Sequence, residues 1–201
     1  MKKYAVDRMS QVGEHEAMSE RRGATYEDLE RVPANRVGEI VAGELHMSPR
    51  PSFVQGRAAF RLAGALTPFD GPPGDKAPGG WVLLFAPELH LGGDVLVPDL
   101  AGWRRERLPQ LPDTSLTLAP DWVCEVLSPA TEALDRAHKM DSYAREGVSS
   151  LWLVNPRPQL LEVYRLAGGR WSWVGAHLAN ETVQAEPFES LSLKLGSLWE
   201  R

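Results

Sequence analysis

Apolar residues recur along the chain with two different periods, which predict helices and strands in alternation. Apolar residues four positions apart, a spacing typical of one face of an α-helix, occur at Val54, Ala58, Leu62 and Leu66. The runs at 121–127 and 150–155 are instead almost wholly apolar, which indicates strands that are covered on both faces of a sheet. The order of helix, strands, helix and strands predicts a mixed α+β variant of the α/β class, with helices packed against one mixed β-sheet.

Turn and capping residues divide this pattern near both ends of the chain. Thr25 and Asp28 form a capping-box pattern, which predicts a short helix through about Arg31. Ala42-Gly43 predicts a turn between two short strands. Ala167-Gly168-Gly169 predicts a C-terminal β-hairpin.

Chain length, cysteine content and net charge indicate the domain organisation and location of the protein more than its chemistry. The 201 residues suffice for one domain with a sizeable core, and we expect a flexible N-terminal arm at 1–23 before a domain at 24–201. The lone cysteine, Cys124, excludes an internal disulfide, so the reducing cytoplasm is the expected location. The 22 basic and 27 acidic side chains give a formal charge of −5, which argues against a strongly basic nucleic-acid-binding surface.

Two carboxylates stand inside apolar strands. Glu125 shares one strand face with Val123 and Leu127. Asp99 follows Pro98 in a run that favours β-structure. An ionised carboxylate among apolar neighbours is costly unless it is paired or bound to a cation. Taken singly, each residue is also explained by a structural ion pair or a turn.

The helix after the second of these strands presents a polar face. Ser128-Pro129 predicts the start of that helix, and Gly147 predicts its end. Between them, Asp135, Lys139 and Tyr143 are four residues apart and line one side. A solvated surface ion pair would explain the first two residues alone. Two strand carboxylates with an adjoining lysine are, however, the parts of a hydrolytic site that holds a hard cation such as Mg²⁺.

Four groups of residues resemble the motifs of a known family. In chain order they are Gly43-Glu44-Leu45 with Met47-Ser48-Pro49, then Val97-Pro98-Asp99-Leu100, then Glu125-Val126-Leu127-Ser128-Pro129, and last Asp135-x-x-x-Lys139-x-x-x-Tyr143-x-x-x-Gly147-Val148 leading to Leu151-Trp152-Leu153-Val154-Asn155-Pro156. In this combination the sequence resembles the Uma2 family, formerly domain of unknown function 820, of the PD-(D/E)XK nuclease superfamily. The resemblance covers the chain from Thr25 to Trp173.

The resemblance implies a restriction-endonuclease-like core, a mixed sheet flanked by helices, and a metal-dependent endonuclease that hydrolyses the phosphodiester bonds of DNA. Asp99 and Glu125 would bind Mg²⁺ or Mn²⁺, and Lys139 would orient water or substrate. The lysine that usually follows the glutamate by two positions is absent, because Leu127 stands there. Lys139 is expected to take its role. Such enzymes often pair to cut both strands, so a homodimer is also expected.

Supporting residues are implied as well. Asp135 and Tyr143 would support the catalytic residues from the helix. Glu39 and Glu44 match acidic positions of the family's early motif, and we favour Glu44 to complete the site, with a strand-turn role as its alternative. The histidine that the family usually has after the Ser-Pro motif is missing, because Phe53-Val54-Gln55 stands there.

Basic residues near the acidic motifs predict contacts with DNA phosphates. The arginines expected to flank the site are Arg104, Arg105, Arg107 and Arg136. A solvated loop and helix would explain them equally well. The acidic net charge leaves two other functions open: a non-catalytic scaffold of the same fold, and a metal-dependent hydrolase of a small phosphorylated substrate. No apolar run is long enough to span a membrane, so no membrane partner is expected.

Overall fold

The structure, a computed structural model, describes residues 22–74 and 77–200. The predicted arm at 1–23 therefore lies almost wholly outside the described residues. The helices are α1 Tyr26–Glu30, α2 Phe53–Leu66, α3 Glu132–Leu134, α4 Met140–Arg145 and α5 Gly196–Trp199, with a 3₁₀ turn at Thr67–Phe69 and a π-helical turn at Asp135–Lys139 that joins α3 to α4. Within 22–74 and 77–200, no helix combines the length and the apolar character needed to cross a membrane.

The strands form one large sheet, one smaller sheet and a short two-stranded ribbon. Their bounds are β1 Arg36–Val41, β2 Glu44–Pro49, β3 Trp81–Phe85, β4 Leu89–Leu91, β5 Asp94–Leu96, β6 Leu100–Arg104, β7 Trp122–Val126, β8 Ser150–Asn155, β9 Leu160–Ala167, β10 Arg170–Leu178, β11 Thr182–Val183 and β12 Leu193–Lys194. The large sheet has the order β10-β9-β8-β7-β6-β3, and the smaller sheet has the order β2-β1-β5-β4. Only β7 and β8 pair in parallel in the large sheet, so that sheet is mixed, as predicted.

Strand β7 lies inside the large sheet and is fully buried, which confirms the interpretation of its apolar run. Trp122, Cys124 and Val126 pack into the core layer that also contains α2 and the C-terminal segment. Val123 and Leu127 pack into the opposite layer with residues of α4. Because side chains alternate along a strand, Glu125 faces this second layer.

The C-terminal segment closes the first core layer with an aromatic cluster. Phe188 lies 4.9, 5.0 and 5.8 Å, between ring centroids, from Trp81, Trp122 and Trp152. The edge-on geometry of the last two contacts is favourable for aromatic pairs. This cluster fixes β7 and β8 from the side opposite Glu125, so the strand that carries the carboxylate has a rigid support.

The predicted turns are present. Val41 pairs with Glu44 across the Ala42-Gly43 turn, where both turn residues have positive φ, as the tight hairpin turn requires. Strands β9 and β10 form the predicted C-terminal hairpin. Helix α2 buries three of the four predicted apolar positions, Ala58, Leu62 and Leu66, whereas Val54 is 51% exposed. Ser52 and Gln55 form a capping box at its start.

The helix after β7 begins later than its Ser-Pro signal predicts. The hydroxyl of Ser128 accepts hydrogen bonds from the amides of Ala130 and Thr131, both at 3.2 Å, so it closes a turn instead of capping the helix. Helix α3 starts only at Glu132. The other end is as predicted, because Gly147, the second residue after α4, has a φ of 78°.

Candidate active site

The two strand carboxylates meet where β6 begins and β7 ends. In the antiparallel pairing of these strands, Leu100 lies opposite Cys124, which brings Asp99 beside the end of β7. The amide of Val126 donates a hydrogen bond of 2.7 Å to Oδ2 of Asp99. Sheet pairing thus places Asp99 and Glu125 at one edge, although 26 positions separate them in the sequence.

The smaller sheet adds a third carboxylate to this edge. Glu39 lies on β1 with only 5% of its surface exposed. Its Oε1 accepts a hydrogen bond of 2.8 Å from the amide of Val97, in the segment between β5 and β6. Glu39 is therefore held between the two sheets.

Lys139 lies at the centre of the cluster. Its Nζ is 2.8 Å from Oε1 of Glu39, 2.9 Å from Oε1 of Glu125 and 3.5 Å from Oδ1 of Asp135. The lysine side chain is only 2% exposed, and the three carboxylates are equally well buried. The Asp135–Lys139 pair is thus part of a buried network and not a solvated surface pair.

A π-helical turn carries the lysine into the cluster. The amide of Met140 donates to the carbonyl of Asp135, five residues earlier. This wide turn spans Asp135–Lys139, and both of its end residues are buried. Turns of this kind are often found at functional sites, where they displace side chains from regular helical positions.

Carboxyl groups outnumber ammonium groups within the cluster. Burial opposes the charge of Lys139, yet the carboxylates of Glu125 and Glu39 raise its pKa well above the usual value, so the ammonium persists. Burial also raises the pKa of Glu125 well above its usual value and raises that of Asp135. Burial raises the pKa of Asp99 to about 6, against the opposing effect of the Val126 amide. One lysine does not balance four carboxyl groups.

Two further side chains fix this arrangement. The hydroxyl of Tyr143, which is completely buried, donates a hydrogen bond of 2.6 Å to Oε1 of Glu125. The side-chain amide of Gln55 donates a 3.0 Å hydrogen bond to the carbonyl of Val126. Tyr143 was expected to support the site. Gln55 was missed because an amide in a helix gives no distinctive signal in the sequence.

A small cavity of about 60 Å³ opens onto the cluster, with Asp99, Glu125 and Lys139 in its lining. Among the residues that the structure describes, no group of three or more His, Cys, Asp or Glu side chains is arranged to hold a metal ion. The donor set still suits Mg²⁺, which retains several waters and commonly uses one or two carboxylates. The surplus of carboxyl groups, whose ionised forms are disfavoured by burial, is a second feature that suits a bound cation.

The structure brings Glu39, and not Glu44, to the lysine. Glu44 is exposed at the first position of β2, opposite Val41 at the hairpin turn. His46 occupies the position opposite Glu39. The preference for Glu44 is therefore corrected. Glu39 shows the same signal as Glu125, a carboxylate inside an apolar strand, whereas the family motif matches Glu39 and Glu44 alike.

The arginines after β6 do not reach the cluster. Arg104 is the last residue of β6, about 13 Å along the strand from Leu100, and so lies at the opposite end from Asp99. The guanidinium of Arg104 stacks 4.1 Å from the ring centroid of Trp81. Arg105 follows directly, and Arg107 pairs with Asp121 at 2.7 Å. Their predicted role in flanking the acidic site has no support in this geometry.

Arg136 lies on the π-helical turn but is held by carboxylates of the surface. Its Nε is 2.9 Å from Oε1 of Glu132, and its Nη2 pairs with Glu162. The hydrogen bond that Arg136 donates to Glu162 raises the pKa of Arg136. A phosphate would have to compete with both carboxylates for this side chain.

A second buried polar cluster links the smaller sheet to α4. Asp94 accepts hydrogen bonds from the amide of Ala42 at 2.8 Å, the hydroxyl of Ser142 at 2.5 Å and Nη2 of Arg145 at 2.7 Å. Burial opposes the charge of Asp94, but the bonds from Ser142 and Arg145 lower its pKa below the usual value. Asp94 therefore helps to hold β1, which carries Glu39, against the helix that carries Lys139.

Asp94→Ala is expected to lower the free energy of unfolding by about 2 kcal/mol at neutral pH, because it leaves buried donors without their acceptor. The pKa of Asp94 is lowered from 3.8 in the folded state, so its contribution is present above that value and is lost as the pH falls through the folded pKa. Urea denaturation at pH 7 and at pH 3 measures both effects. Asp113→Ala, at an exposed loop position, is the control. A loss below about 0.5 kcal/mol, the range of ordinary surface substitutions, would contradict the structural role of Asp94.

Comparison with known proteins agrees with this architecture. A family model described as Uma2, "Putative restriction endonuclease", matches residues 24–196. A crystal structure of a putative nuclease belonging to DUF820 from Anabaena variabilis matches with a TM-score of 0.68 and 19% identity, over 88% of this chain and 97% of that chain. At this identity the likeness shows a shared fold. No curated protein matches the sequence. Because the family model covers most of its length, the chain belongs to the Uma2 family.

Proposed function

We propose that this protein is a metal-dependent endonuclease that hydrolyses DNA phosphodiester bonds. The observation that carries the proposal is the convergence of Asp99, Glu125 and Lys139 on one small cavity. Asp99 directly precedes β6, Glu125 lies on β7 and Lys139 ends the π-helical turn. Charged groups are costly in an apolar core unless they are paired or bound to a cation. Membership of a family described as "Putative restriction endonuclease" supports the same reaction class.

Asp99 and Glu125 are the residues that would hold Mg²⁺ or Mn²⁺. When bound, the ion would supply Lewis-acid chemistry, by polarising a phosphoryl oxygen and making water a better nucleophile. Tyr143 holds the carboxylate of Glu125 in place through its 2.6 Å hydrogen bond. Lys139, which Glu39 and Asp135 also hold, is positioned to stabilise the negative charge that develops on the phosphate.

The proposal predicts that the purified protein nicks or cuts supercoiled plasmid with Mg²⁺ or Mn²⁺, and that Glu125→Gln abolishes the cleavage. The amide keeps the size of the side chain and removes the charge that a cation needs. Glu44→Gln is the matched control, because it makes the same change at the exposed glutamate on β2, and it should retain activity. Cutting of both strands in one event would favour the predicted homodimer.

Two outcomes would separate this function from the alternatives. Calorimetric binding of Mn²⁺ without cleavage of single- or double-stranded DNA would exclude the nuclease and favour a hydrolase of small phosphorylated compounds. Absence of both metal binding and cleavage would favour a non-catalytic scaffold. Equal activity in Glu125→Gln and the unmodified protein would show that the cleavage arises elsewhere.

A further inference from the structure

A large groove adjoins the acidic cavity and has the opposite charge. Its volume is about 800 Å³, and its lining includes Arg50, Arg157 and Trp199. None of the described residues that line it is acidic, although the chain as a whole carries a formal charge of −5. We call this cavity the arginine groove. It combines a local positive charge with an aromatic side chain.

The arginine groove is continuous with the acidic cavity. Pro49, Gln55 and Ser128 line both spaces. Gln55 is also the residue whose side-chain amide holds the Val126 carbonyl beside Asp99. A chain molecule that lies in the arginine groove would therefore reach the catalytic carboxylates without crossing another part of the surface.

The two arginines have donors available for an anion. Arg157 is exposed, and its side chain makes no ion pair or hydrogen bond with any of the described residues. Its backbone amide donates a hydrogen bond to the side chain of Asn155. Arg50 is oriented by hydrogen bonds of 3.2 and 2.9 Å to the carbonyl of Ala34. A guanidinium carries five N–H donors, so Arg50 keeps donors for a phosphate after these two bonds.

Trp199 is fixed in a way that suits a stacking role. Its indole N–H donates a 2.7 Å hydrogen bond to the carbonyl of Ala179. The ring is only partly buried and borders the groove. Aromatic rings held in this manner form platforms for unpaired bases, while neighbouring basic side chains contact the backbone phosphates.

From this combination we infer that the arginine groove binds one strand of nucleic acid, with Arg50 and Arg157 on backbone phosphates and an unpaired base against Trp199. This inference rests on the proposed nuclease function, because it supplies the path by which the substrate strand enters the acidic cavity. It also assigns the phosphate contacts to residues distant in sequence from Arg104, Arg105 and Arg107. The groove offsets the repulsion between the carboxyl groups and an approaching phosphate.

The test is the fluorescence anisotropy of a short fluorescein-labelled single-stranded oligonucleotide, titrated with the full chain in EDTA so that no cleavage occurs. Arg157→Ala and Arg50→Ala should each weaken binding about five- to tenfold. Each phosphate contact that is removed should make the slope of log K against log salt shallower by about 0.7. Arg157→Lys should recover most of the affinity. Trp199→Ala should weaken binding of the single strand more than binding of the matching duplex.

Arg105→Ala is the matched control, because it removes the same charge at the opposite end of β6 and should bind as the unmodified protein does. Equal binding by Arg50→Ala, Arg157→Ala and the unmodified protein would overturn the inference. So would binding of inorganic phosphate without any binding of the oligonucleotide. Since Arg157 is exposed and unpaired among the described residues, its variant should melt at the same temperature as the unmodified protein.

Plasmid cleavage distinguishes failure of the groove from failure of the nuclease. If the unmodified protein cleaves DNA and Arg157→Ala leaves KM unchanged, the inference is overturned while the nuclease stands. If the protein binds the oligonucleotide through Arg50 and Arg157 but cleaves nothing with any divalent ion, the proposed function fails and the groove is supported. A rise in KM with unchanged kcat in Arg157→Ala supports both.

Discussion

Lys139→Ala is expected to lower the free energy of unfolding by about 3–5 kcal/mol, the usual cost of removing one partner from a buried ionic network. The ammonium lies within 3 Å of both Glu39 and Glu125, and without it these carboxylates are buried with no cation. The same change should abolish DNA cleavage, because nothing remains to stabilise the developing charge on the phosphate. No other single substitution in the cluster should cost as much stability.

The loss should depend on pH in a defined direction. Burial raises the pKa values of Glu125 and Asp135, so these groups take up protons more readily than in the unfolded chain. A protonated carboxyl group needs no ammonium beside it, and the cost of Lys139→Ala should therefore be smaller at pH 5 than at pH 8. Urea denaturation in EDTA at the two pH values measures the difference.

Two variants control this prediction. Lys194→Ala removes a lysine at an exposed position of β12 and should change stability by less than about 0.5 kcal/mol. Lys139→Met combined with Glu39→Gln and Glu125→Gln removes the cation together with the charges that it balances, and it should recover much of the lost stability. A cost below about 1 kcal/mol for Lys139→Ala alone would show that water or a shifted side chain replaces the ammonium.

The sequence predicted those parts of the fold that local patterns determine. Strand β8 has the predicted bounds, and helix α2 spans the four apolar positions that predicted it, because each segment has a clear local apolar pattern. The burial of Glu125 was also foreseeable, since alternation along β7 leaves it among apolar neighbours. The predicted start of the helix after β7 was wrong, because the hydroxyl of Ser128 closes a turn before α3 begins. A serine followed by a proline is compatible with a turn as well as with the start of a helix.

The site was less predictable because its residues come from different sheets. Glu39 meets Lys139 only after β1 pairs with β5, a long-range contact that no local spacing encodes. The π-helical turn at Asp135–Lys139 was not predicted, because the sequence was interpreted with regular helical spacing. Arg50 and Arg157, which line one groove, are 107 positions apart in the chain. Charged residues that are close in the sequence did not predict which charged residues line the same cavity.

Asp99→Asn should stabilise the protein while it abolishes catalysis. Burial raises the pKa of Asp99 from 3.8 to about 6, so the ionised carboxylate that a metal ion needs is unfavourable in the folded protein without metal. Each unit of pKa difference corresponds to about 1.4 kcal/mol, and the partly exposed position of Asp99 reduces the effect. We expect a gain of about 2 kcal/mol at pH 7 in EDTA. The asparagine side-chain carbonyl can still accept the hydrogen bond from Val126.

The sign of the pH dependence makes the prediction specific. A carboxyl group whose folded pKa is raised costs stability only above its unfolded pKa, and the cost reaches its full value above the folded pKa. The difference between Asp99→Asn and the unmodified protein should therefore be near zero below pH 4 and should grow until about pH 6. Asp70→Asn is the matched control, because Asp70 also accepts a backbone amide, that of Leu83 at 3.1 Å, but is exposed. Added Mg²⁺ should stabilise the unmodified protein and not Asp99→Asn. If Asp99→Asn is no more stable than the unmodified protein at pH 7 in EDTA, Asp99 is not held in an unfavourable charge state, and the surplus of carboxyl groups cannot be an argument for the cation.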